Sequence, residues 1–430
     1  MDTYPMTIGQ LSVHRDVERL PADRLWEANL QPVVWDIRQE CTVEDVWRVL
    51  GAVAERHESL RTNYLFEADG SPRQFIGAQD AADVLARMDR GVADIAELPA
   101  LVASKYQEVL DIYHGIPWRA WIITSDGTPA KVLLVLHHMA VDGAGSLIMQ
   151  DDFHALLAGE TLPPPAGQPI GLALDQQGAG SFRLRAAERY WRRTLEAAPR
   201  VPAGDVGSAT GATANTANAT MLGASLHTGV PLEVAHAGAE RLDVSAATVV
   251  LAAYYDALRT VLGRQALLLM AISANRFDPS MAGVVTSLTQ WAPMLLDFDG
   301  TESFADLAVK IHGKALNAFK NSICDPDYVV GVREEYFEKA DPPVDKGFNT
   351  NIILAPPGFA PPVAQEPRTV EFATPARATG PGLYFIVSGI EQIDVAVRCN
   401  RPDVDQQKLA AILDAFQETL LKVAGLPAMG

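Results

Sequence analysis

One short segment limits the folds open to this chain more than any other: Lys131–Leu136, which reads KVLLVL. A strand that is apolar at nearly every position, instead of at alternate positions, is typical of a strand covered on both faces of its sheet. A predicted strand, Trp118–Thr124, precedes it, and a polar loop, His137–Gly143, leads from it into a predicted helix over Gly145–Leu157. The sequence therefore predicts an α/β chain in which helices cover sheets.

Apolar periodicity, capping residues and turn residues predict further elements on both sides of this unit. The predicted helices are Thr42–Arg56, Pro99–Leu110, Leu184–Ala198, Ser245–Leu262, a helix that starts at Ser303, and Asp405–Val423. The predicted strands are Leu60–Phe66, Ala266–Ser273, Asn349–Leu354, Leu383–Val387 and Ile393–Arg398. The order shows no regular βαβ repeat, and no GxGxxG or Walker-type loop occurs, so mixed sheets are expected instead of a dinucleotide fold or a barrel.

The length of 430 residues predicts two domains, since one domain usually has about 100–200 residues. Two stretches have the composition of linkers or loops: Ala158–Ser181, rich in Pro and Gly, and Pro202–Ala219, built mainly from Ala, Gly, Thr and Asn. We place the boundary in the first of them, which gives an N-terminal lobe of residues 1–165 and a C-terminal lobe of residues 166–430.

Charge and cysteine content exclude several classes of function. The chain has 35 Lys and Arg against 53 Asp and Glu, a formal net charge of -18, which disfavours binding to nucleic acid phosphates. Its three cysteines, Cys41, Cys324 and Cys399, form no disulfide or CxxC metal pattern. No signal peptide and no membrane-length apolar run occurs, so a soluble cytoplasmic protein is expected.

The loop His137-His138-Met139-Ala140-Val141-Asp142-Gly143 is the strongest candidate for a site. Adjacent side chains at the end of a strand point to opposite faces, so the two histidines are poorly placed to bind one zinc ion, and no metal site is expected. One imidazole can enter a cleft while the other packs behind it, and Asp142 can fold back and anchor the turn. An isolated buried histidine is more often a core residue than a catalyst, but the pair followed by Asp-Gly is a more specific pattern.

This loop resembles the HHxxxDG signature of condensation domains of nonribosomal peptide synthetases, within the chloramphenicol acetyltransferase-like superfamily. Arg56–Thr62 (RHESLRT) is similar to the family's RHExLRT motif, Tyr190–Leu195 (YWRRTL) to its YWxxxL helix, and Ala274-Asn275-Arg276 to its Gly-Arg or Asn-Arg position. Other family motifs are altered: an SxAQ-type segment is reduced to Thr7–Leu11 (TIGQL), and a GxFVNTLP-like motif becomes Gly283–Trp291 (GVVTSLTQW). The changes argue against an ordinary aminoacyl-to-peptidyl specificity.

The resemblance implies two acyltransferase-like lobes that form a V-shaped pseudo-dimer with a central tunnel. It implies a stand-alone acyltransferase that joins an acyl or aminoacyl thioester, held on the phosphopantetheine arm of a carrier protein, to an amine or hydroxyl. Direct transfer with His138 as the base is expected, since no GxSxG context surrounds Ser146. The chain itself is expected to bind no cofactor, because phosphopantetheine or coenzyme A arrives as part of the substrate.

The resemblance also assigns roles to the residues around His138. His137 is expected to be its packing or hydrogen-bonding neighbour, and Gly143 to allow a close backbone approach or a positive φ. Asp142 is expected to pair with Arg61, and Arg56 to support the loop. The candidates for the substrate tunnel are Arg276, Ser287, Gln290, Trp291 and Asn349.

Two other functions remain open from the sequence. One is a coenzyme A-dependent O- or N-acyltransferase of the same superfamily; the length and the RHExLRT-like segment favour the condensation enzyme without excluding it. The other is an inactive recruitment domain that docks a partner enzyme, although this chain keeps both His138 and Gly143.

Overall fold

The chain folds into two compact units that are not continuous in sequence. The structure, a computed structural model, describes residues 2–178, 181–201, 221–345, 347–359, 363–375 and 380–425. Unit 1 comprises Met1–Arg185, Ala274–Gln290 and Ile323–Asp327, and unit 2 comprises Ala186–Ser273, Trp291–Ser322 and Tyr328–Gly430. The predicted boundary lies between residues 165 and 166, whereas unit 1 extends further and includes two later segments.

Helices and strands alternate irregularly along the chain, as the sequence predicts. Up to residue 178 the elements are β1 (Tyr4–Pro5), α1 (Ile8–Val17), β2 (Val33–Asp36), α2 (Val43–Arg56), β3 (Thr62–Phe66), β4 (Pro72–Ile76), α3 (Ala81–Arg87), β5 (Arg90–Asp94), α4 (Leu98–Tyr106), β6 (Trp118–Ser125), β7 (Thr128–Leu136), α5 (Gly143–Leu157) and α6 (Pro169–Gln177). The later elements are α7 (Ser181–Ala197), β8 (Leu222–Pro231), α8 (Leu232–Leu242), α9 (Ala246–Leu262), β9 (Ala266–Ser273), α10 (Pro279–Ala282), β10 (Gln290–Asp297), α11 (Phe304–Lys320), α12 (Pro326–Arg333), β11 (Phe348–Leu354), β12 (Thr369–Phe372), β13 (Leu383–Gly389), β14 (Gln392–Cys399) and α13 (Gln406–Ala424).

The apolar strand β7 is an inner strand of unit 1, in a four-stranded sheet of order β2-β7-β6-β5. It pairs antiparallel with both β2 and β6. Val132, Leu134 and Leu136 belong to a large core that includes Trp118, while Leu133 packs in a separate apolar cluster with Trp121. Both faces of the strand are therefore covered, as its uniform apolar sequence predicts. A second sheet of unit 1 has the order β1-β4-β3.

Local signals fix the ends of several helices. Helix α2 begins with a capping box, in which Thr42 and Asp45 bind each other's backbone amides. Ser245 caps α9, and Gly263 ends it in the left-handed conformation with a φ of 66°. Ser303 caps α11 in the same way as Ser245 caps α9.

Unit 2 is built on a seven-stranded sheet of order β10-β9-β11-β13-β14-β8-β12. Strand β11 runs parallel to both β9 and β13, whereas β14 is antiparallel to β13 and β8. Tyr254 of α9 stacks on Phe385 of β13 at 4.1 Å between ring centroids, and Phe416 of α13 packs edge-on against the same ring. The sheet thus carries helices packed through large aromatic side chains.

Two predictions about local structure were wrong. Ala158–Ser181, interpreted as a linker, contains helix α6, whose first residue is Pro169. Proline suits the first turn of a helix, since its missing N–H would have no partner there. The helix predicted over Pro99–Leu110 ends at Tyr106. The other predicted loop, Pro202–Ala219, lies outside the described residues. Within the described part of the chain, no helix combines the length and apolar character needed to cross a bilayer.

Candidate active site

The histidine pair lies in unit 1, directly after strand β7. The sheet holds the backbone of the pair on both sides: the His137 amide donates to the Pro117 carbonyl at 2.9 Å, and the His138 amide donates to that of Ala28 at 2.8 Å. The amides of Ala140 and Val141 then both donate to the His137 carbonyl, at 3.0 and 3.2 Å. The chain therefore turns sharply immediately after the strand, and the following helix α5 begins at Gly143.

His137 is a structural member of this turn. Its side chain is buried, and its Nδ1 accepts a hydrogen bond from the Met139 amide at 3.1 Å. Burial, with a smaller contribution from His138, lowers the pKa of His137 to about 3. The imidazole therefore remains neutral at physiological pH, with one ring nitrogen occupied by the backbone. These contacts fit the packing role expected for His137.

His138 is partly exposed, in contrast to its neighbour. Its Nδ1 lies 3.4 Å from the Oγ of Ser287, a long contact for a hydrogen bond. Ser287 is completely buried, so its hydroxyl is not available as a nucleophile. Of the two histidines, His138 is the one whose ring can meet a substrate.

Asp142 is the anchor of the loop. The residue is fully buried, and its Oδ1 accepts from the Gly145 amide at 2.8 Å, which caps α5. Its Oδ2 accepts from Arg276 Nη1 at 2.8 Å and from the Leu288 amide at 2.9 Å. The predicted pair between Asp142 and Arg61 was wrong, because Arg276 supplies the cation.

Arg276 joins the histidine loop to a segment much later in the chain. Besides Asp142, its guanidinium donates to the carbonyls of Ala274 at 3.1 Å, Val284 at 3.1 Å and Thr286 at 3.2 Å. The arginine side chain is 9% exposed. We call Thr286–Leu288 the support segment, since Arg276 and Asp142 bind its backbone and Ser287 contacts His138.

The two arginines of the RHESLRT motif have other partners. Arg61 donates to the carbonyls of Ala54 at 3.0 Å and Glu55 at 3.2 Å, which belong to the last turn of α2, and also to two carbonyls that precede α3. Arg56 and His57 both bind the Asp152 carboxylate of α5, at 2.6 and 2.8 Å. Arg56 thus links α2 to α5, the helix that follows the histidine loop, while Arg61 hydrogen-bonds carbonyls of the last turn of α2.

Gly143 differs from its predicted geometry. Its φ is not among the positive values, and a Cβ at this position would meet no atom within 4 Å. A positive φ therefore does not require glycine here, and within the part of the chain that the structure describes no atom lies close to the position of a Cβ; a close approach by a substrate stays a prediction. Ser146 donates its hydroxyl to the Gly143 carbonyl at 2.8 Å, which commits it to its own helix.

The other tunnel candidates are divided between the units. Gln290 belongs to unit 1, where its amide donates to the Cys324 carbonyl at 2.8 Å. Trp291 and Asn349 belong to unit 2: the indole packs edge-on against Tyr384 with ring centroids 5.6 Å apart, and Asn349 is buried on β11. Their role in a substrate tunnel stays a prediction.

Sequence reasoning missed the part that α1 plays in this site. A Cβ at Gly9 would lie 2.2 Å from the Ser287 carbonyl oxygen and 2.6 Å from the Leu288 Cα, so the helix contacts the support segment closely. Thr7 and Gln10 form the capping box that starts this helix. The spacing of Thr7 and Gln10 in the altered TIGQL motif was a signal for the start of this helix, but not for its contact with the support segment.

The arrangement supports proton transfer at one imidazole and little other chemistry. Among the described residues, no three His, Cys, Asp or Glu side chains are grouped so that they could hold a metal ion. The buried hydroxyls near the loop, those of Ser146 and Ser287, are not placed to form an acyl-enzyme. What remains is a partly exposed histidine directly after strand β7, near an ion pair in which Asp142 is fully buried and the Arg276 side chain is 9% exposed.

Comparison with known proteins identifies relatives over most of the chain. Fusarin C synthetase from Gibberella moniliformis is 26% identical over 294 residues, which cover 65% of this chain and 7% of that protein. The chain thus spans only a small part of the curated relative. The condensation domain of the monacolin K polyketide synthase MokA has a similar fold, with a TM-score of 0.76 and 17% identity over 100% of this chain and 99% of that one.

A second solved structure is a double mutant of the starter condensation domain of rhizomide synthetase RzmA, in complex with C8-CoA and Leu-SNAC. It aligns with a TM-score of 0.71 and 16% identity over 98% of this chain and 94% of that one. The family model for the condensation domain matches residues 21–327, which include the histidine loop, Arg276 and the support segment. The chain therefore belongs to the condensation domain family of the synthetases that make natural products, with its mixed α/β fold of two lobes.

Proposed function

We propose that this chain is an acyltransferase that forms an amide or ester bond by transferring an acyl group directly from a thioester to an amine or hydroxyl. The observation that carries the proposal is the contrast within the histidine pair. His137 is buried, neutral and bound to the backbone, whereas His138 is partly exposed at the end of a rigid strand. A base must be held firmly and still reach its substrate, and His138 combines the two properties.

In the proposed reaction, His138 removes the proton from the acceptor as its nitrogen or oxygen attacks the thioester carbonyl. The new amide or ester bond forms as the carbon–sulfur bond breaks, and the proton passes to the departing thiolate. General-base assistance of this kind typically accelerates a reaction by about 10²–10⁴-fold. Holding the two substrates in line contributes in addition.

Asp142 and Arg276 serve the reaction through the position of the loop. Their ion pair is 2.8 Å long, and Asp142 has no exposed surface, so the turn that carries His138 is tied to α5 and to the support segment. Because the pair is buried, removing one partner leaves an uncompensated charge and costs about 3–5 kcal/mol. Arg56 binds Asp152 of α5, the helix that follows the same loop.

We propose a carrier protein as the source of the acyl group, which would arrive on a phosphopantetheine arm, with no cofactor resident in the chain. Membership of the condensation family supports this choice. A coenzyme A thioester is the second candidate, favoured by the complex of the RzmA starter domain with C8-CoA. The stand-alone arrangement predicted from the sequence remains a prediction.

The test measures acyl transfer with matched donors. The chain is incubated with C8 groups carried by a phosphopantetheinylated carrier protein or by coenzyme A, with Leu-SNAC and a panel of amines and alcohols as acceptors, and products are detected by mass spectrometry. We expect turnover with the carrier-bound donor, and a loss of about 10²-fold or more in His138→Ala. His114→Ala is the matched control, since that histidine side chain is 86% exposed.

The outcomes separate the candidate functions. Faster turnover with coenzyme A than with the carrier protein would favour the coenzyme A-dependent transferase. Near-normal turnover in His138→Ala would refute the assignment of the base. Retained binding to a carrier or partner enzyme, without transfer from any donor in the wild type, would favour the inactive recruitment domain.

A further inference from the structure

The buried hydroxyl of Ser287 is the polar group that the support segment presents to His138. Its Oγ lies 3.4 Å from His138 Nδ1, and the serine has no exposed surface. The family resemblance places this residue in an altered motif, GVVTSLTQW, and assigns no task to its hydroxyl. A buried hydroxyl beside one ring nitrogen can accept a hydrogen bond from the N–H of that nitrogen or donate one to its lone pair, and in either case it limits the rotation of the ring.

The backbone around Ser287 is held on three sides, so its hydroxyl has little freedom to move away. Arg276 donates to the Thr286 carbonyl at 3.2 Å, and the Leu288 amide donates to Asp142 at 2.9 Å. On the third side, Gly9 of α1 leaves no room for even a Cβ beside the Ser287 carbonyl oxygen. The contact is thus set by the same ion pair that anchors the histidine loop.

We propose that Ser287 is a positioning residue that holds the His138 imidazole with its proton on Nδ1. The Nδ1–H donates to Ser287 Oγ, and the lone pair lies on Nε2, the nitrogen that then takes the proton of the acceptor. The other tautomer would present an N–H donor to the acceptor where a base is needed, and a ring rotated by a half-turn about its Cβ–Cγ bond would place Cε1–H there instead. This inference rests on the proposed function, because the need for a free lone pair on Nε2 is what selects the Nδ1–H tautomer, whereas the tautomer can be measured without an activity assay.

The first measurement is therefore spectroscopic. Histidine-specific ¹⁵N labelling and long-range ¹⁵N–¹H correlation spectra distinguish the Nδ1–H from the Nε2–H tautomer, and comparison with His138→Ala assigns the signals of this ring. We expect the Nδ1–H form in the wild type and a mixture of tautomers in Ser287→Ala. Ser146→Ala is the matched control, because that serine is also buried beside the loop but donates to the Gly143 carbonyl.

The second measurement uses the transfer assay. Ser287→Ala is expected to lower kcat roughly tenfold, the effect of losing one hydrogen bond of ordinary strength, with little change in KM. Ser287→Cys, which keeps a weak donor and acceptor of similar size, should recover part of the loss. Ser146→Ala should keep the wild-type rate.

Each result decides one question. An Nε2–H ring in the wild type, or an unchanged Nδ1–H ring in Ser287→Ala, would overturn the role of Ser287 whatever the activity. If Ser287→Ala does not fold, the wild-type tautomer and the Ser287→Cys variant still test the proposal. Failure of the proposed function would instead be seen as normal transfer by His138→Ala, which the tautomer measurement does not affect.

Discussion

The buried pair between Asp142 and Arg276 yields the strongest prediction about stability. Arg276→Met keeps most of the packing of the side chain and removes its charge. Asp142, with no exposed surface, would keep the amides of Gly145 and Leu288 as donors and lose its cationic partner. Removing one partner of such a pair costs about 3–5 kcal/mol. The same variant also removes the three hydrogen bonds from Arg276 to backbone carbonyls.

The assay is urea unfolding followed by tryptophan fluorescence and circular dichroism. In a parallel thermal unfolding experiment, the same loss of about 3–5 kcal/mol in unfolding free energy corresponds to a fall in melting temperature of roughly 6–20 °C for a folding unit of about 150–250 residues. The matched control is Arg15→Met, which breaks a pair with Asp327 at 2.6 Å whose side chains are 24% and 58% exposed. A pair this open to solvent is worth about 0–1 kcal/mol. If Arg276→Met cost no more than Arg15→Met, the anchoring role of the buried pair would be refuted.

Three further predictions concern residues around the same loop. Burial lowers the pKa of His137 to about 3, so below pH 6.5 the unfolded chain binds more protons than the folded chain. The wild type should therefore lose roughly 1.5 kcal/mol of unfolding free energy between pH 6.5 and pH 5. In urea titrations, His137→Asn should reduce this dependence on pH, and an unchanged dependence would contradict the prediction. Gly9→Ala places a Cβ 2.2 Å from the Ser287 carbonyl oxygen and should lower the free energy of unfolding by about 1–3 kcal/mol, as measured by thermal unfolding. The control Gly171→Ala, whose Cβ enters open space beside α6, should not destabilise the protein. Thr286→Val removes a fully buried hydroxyl that has no hydrogen-bond partner among the described residues. It should leave the unfolding free energy equal or about 1 kcal/mol higher, so a clear loss would reveal a partner elsewhere.

The accuracy of the sequence predictions depended on how far apart in the chain the interacting residues lie. The capped helices were predicted within a residue or two, because Thr42 and Asp45, or Ser245 and Gly263, act within one or two turns. Helix α6 was missed, since its Pro169 and nearby glycines are equally typical of loops.

The site followed the same rule. Its loop could be identified from consecutive residues, but the partner of Asp142 could not. Arg61 was the predicted partner, but it binds carbonyls at the end of α2. The true partner, Arg276, lies 134 positions from Asp142. The contact between His57 and Asp152, which are 95 positions apart, could not be predicted either, since no local sequence pattern indicates which distant side chains the fold brings into contact.

By itself the sequence determined the buried strand β7, the loop with its histidine pair, and the start of the helix that Asp142 caps, because hydrophobic period and backbone capping are local properties. The packing role of His137 was expected from the family resemblance, but only the tertiary structure decided which groups contact His137 and which contact His138. Ser287 reaches His138 across 149 positions and the Leu288 amide reaches Asp142 across 146. Such contacts form only when the tertiary structure buries these groups, because a polar group removed from water needs a hydrogen-bond partner within the protein.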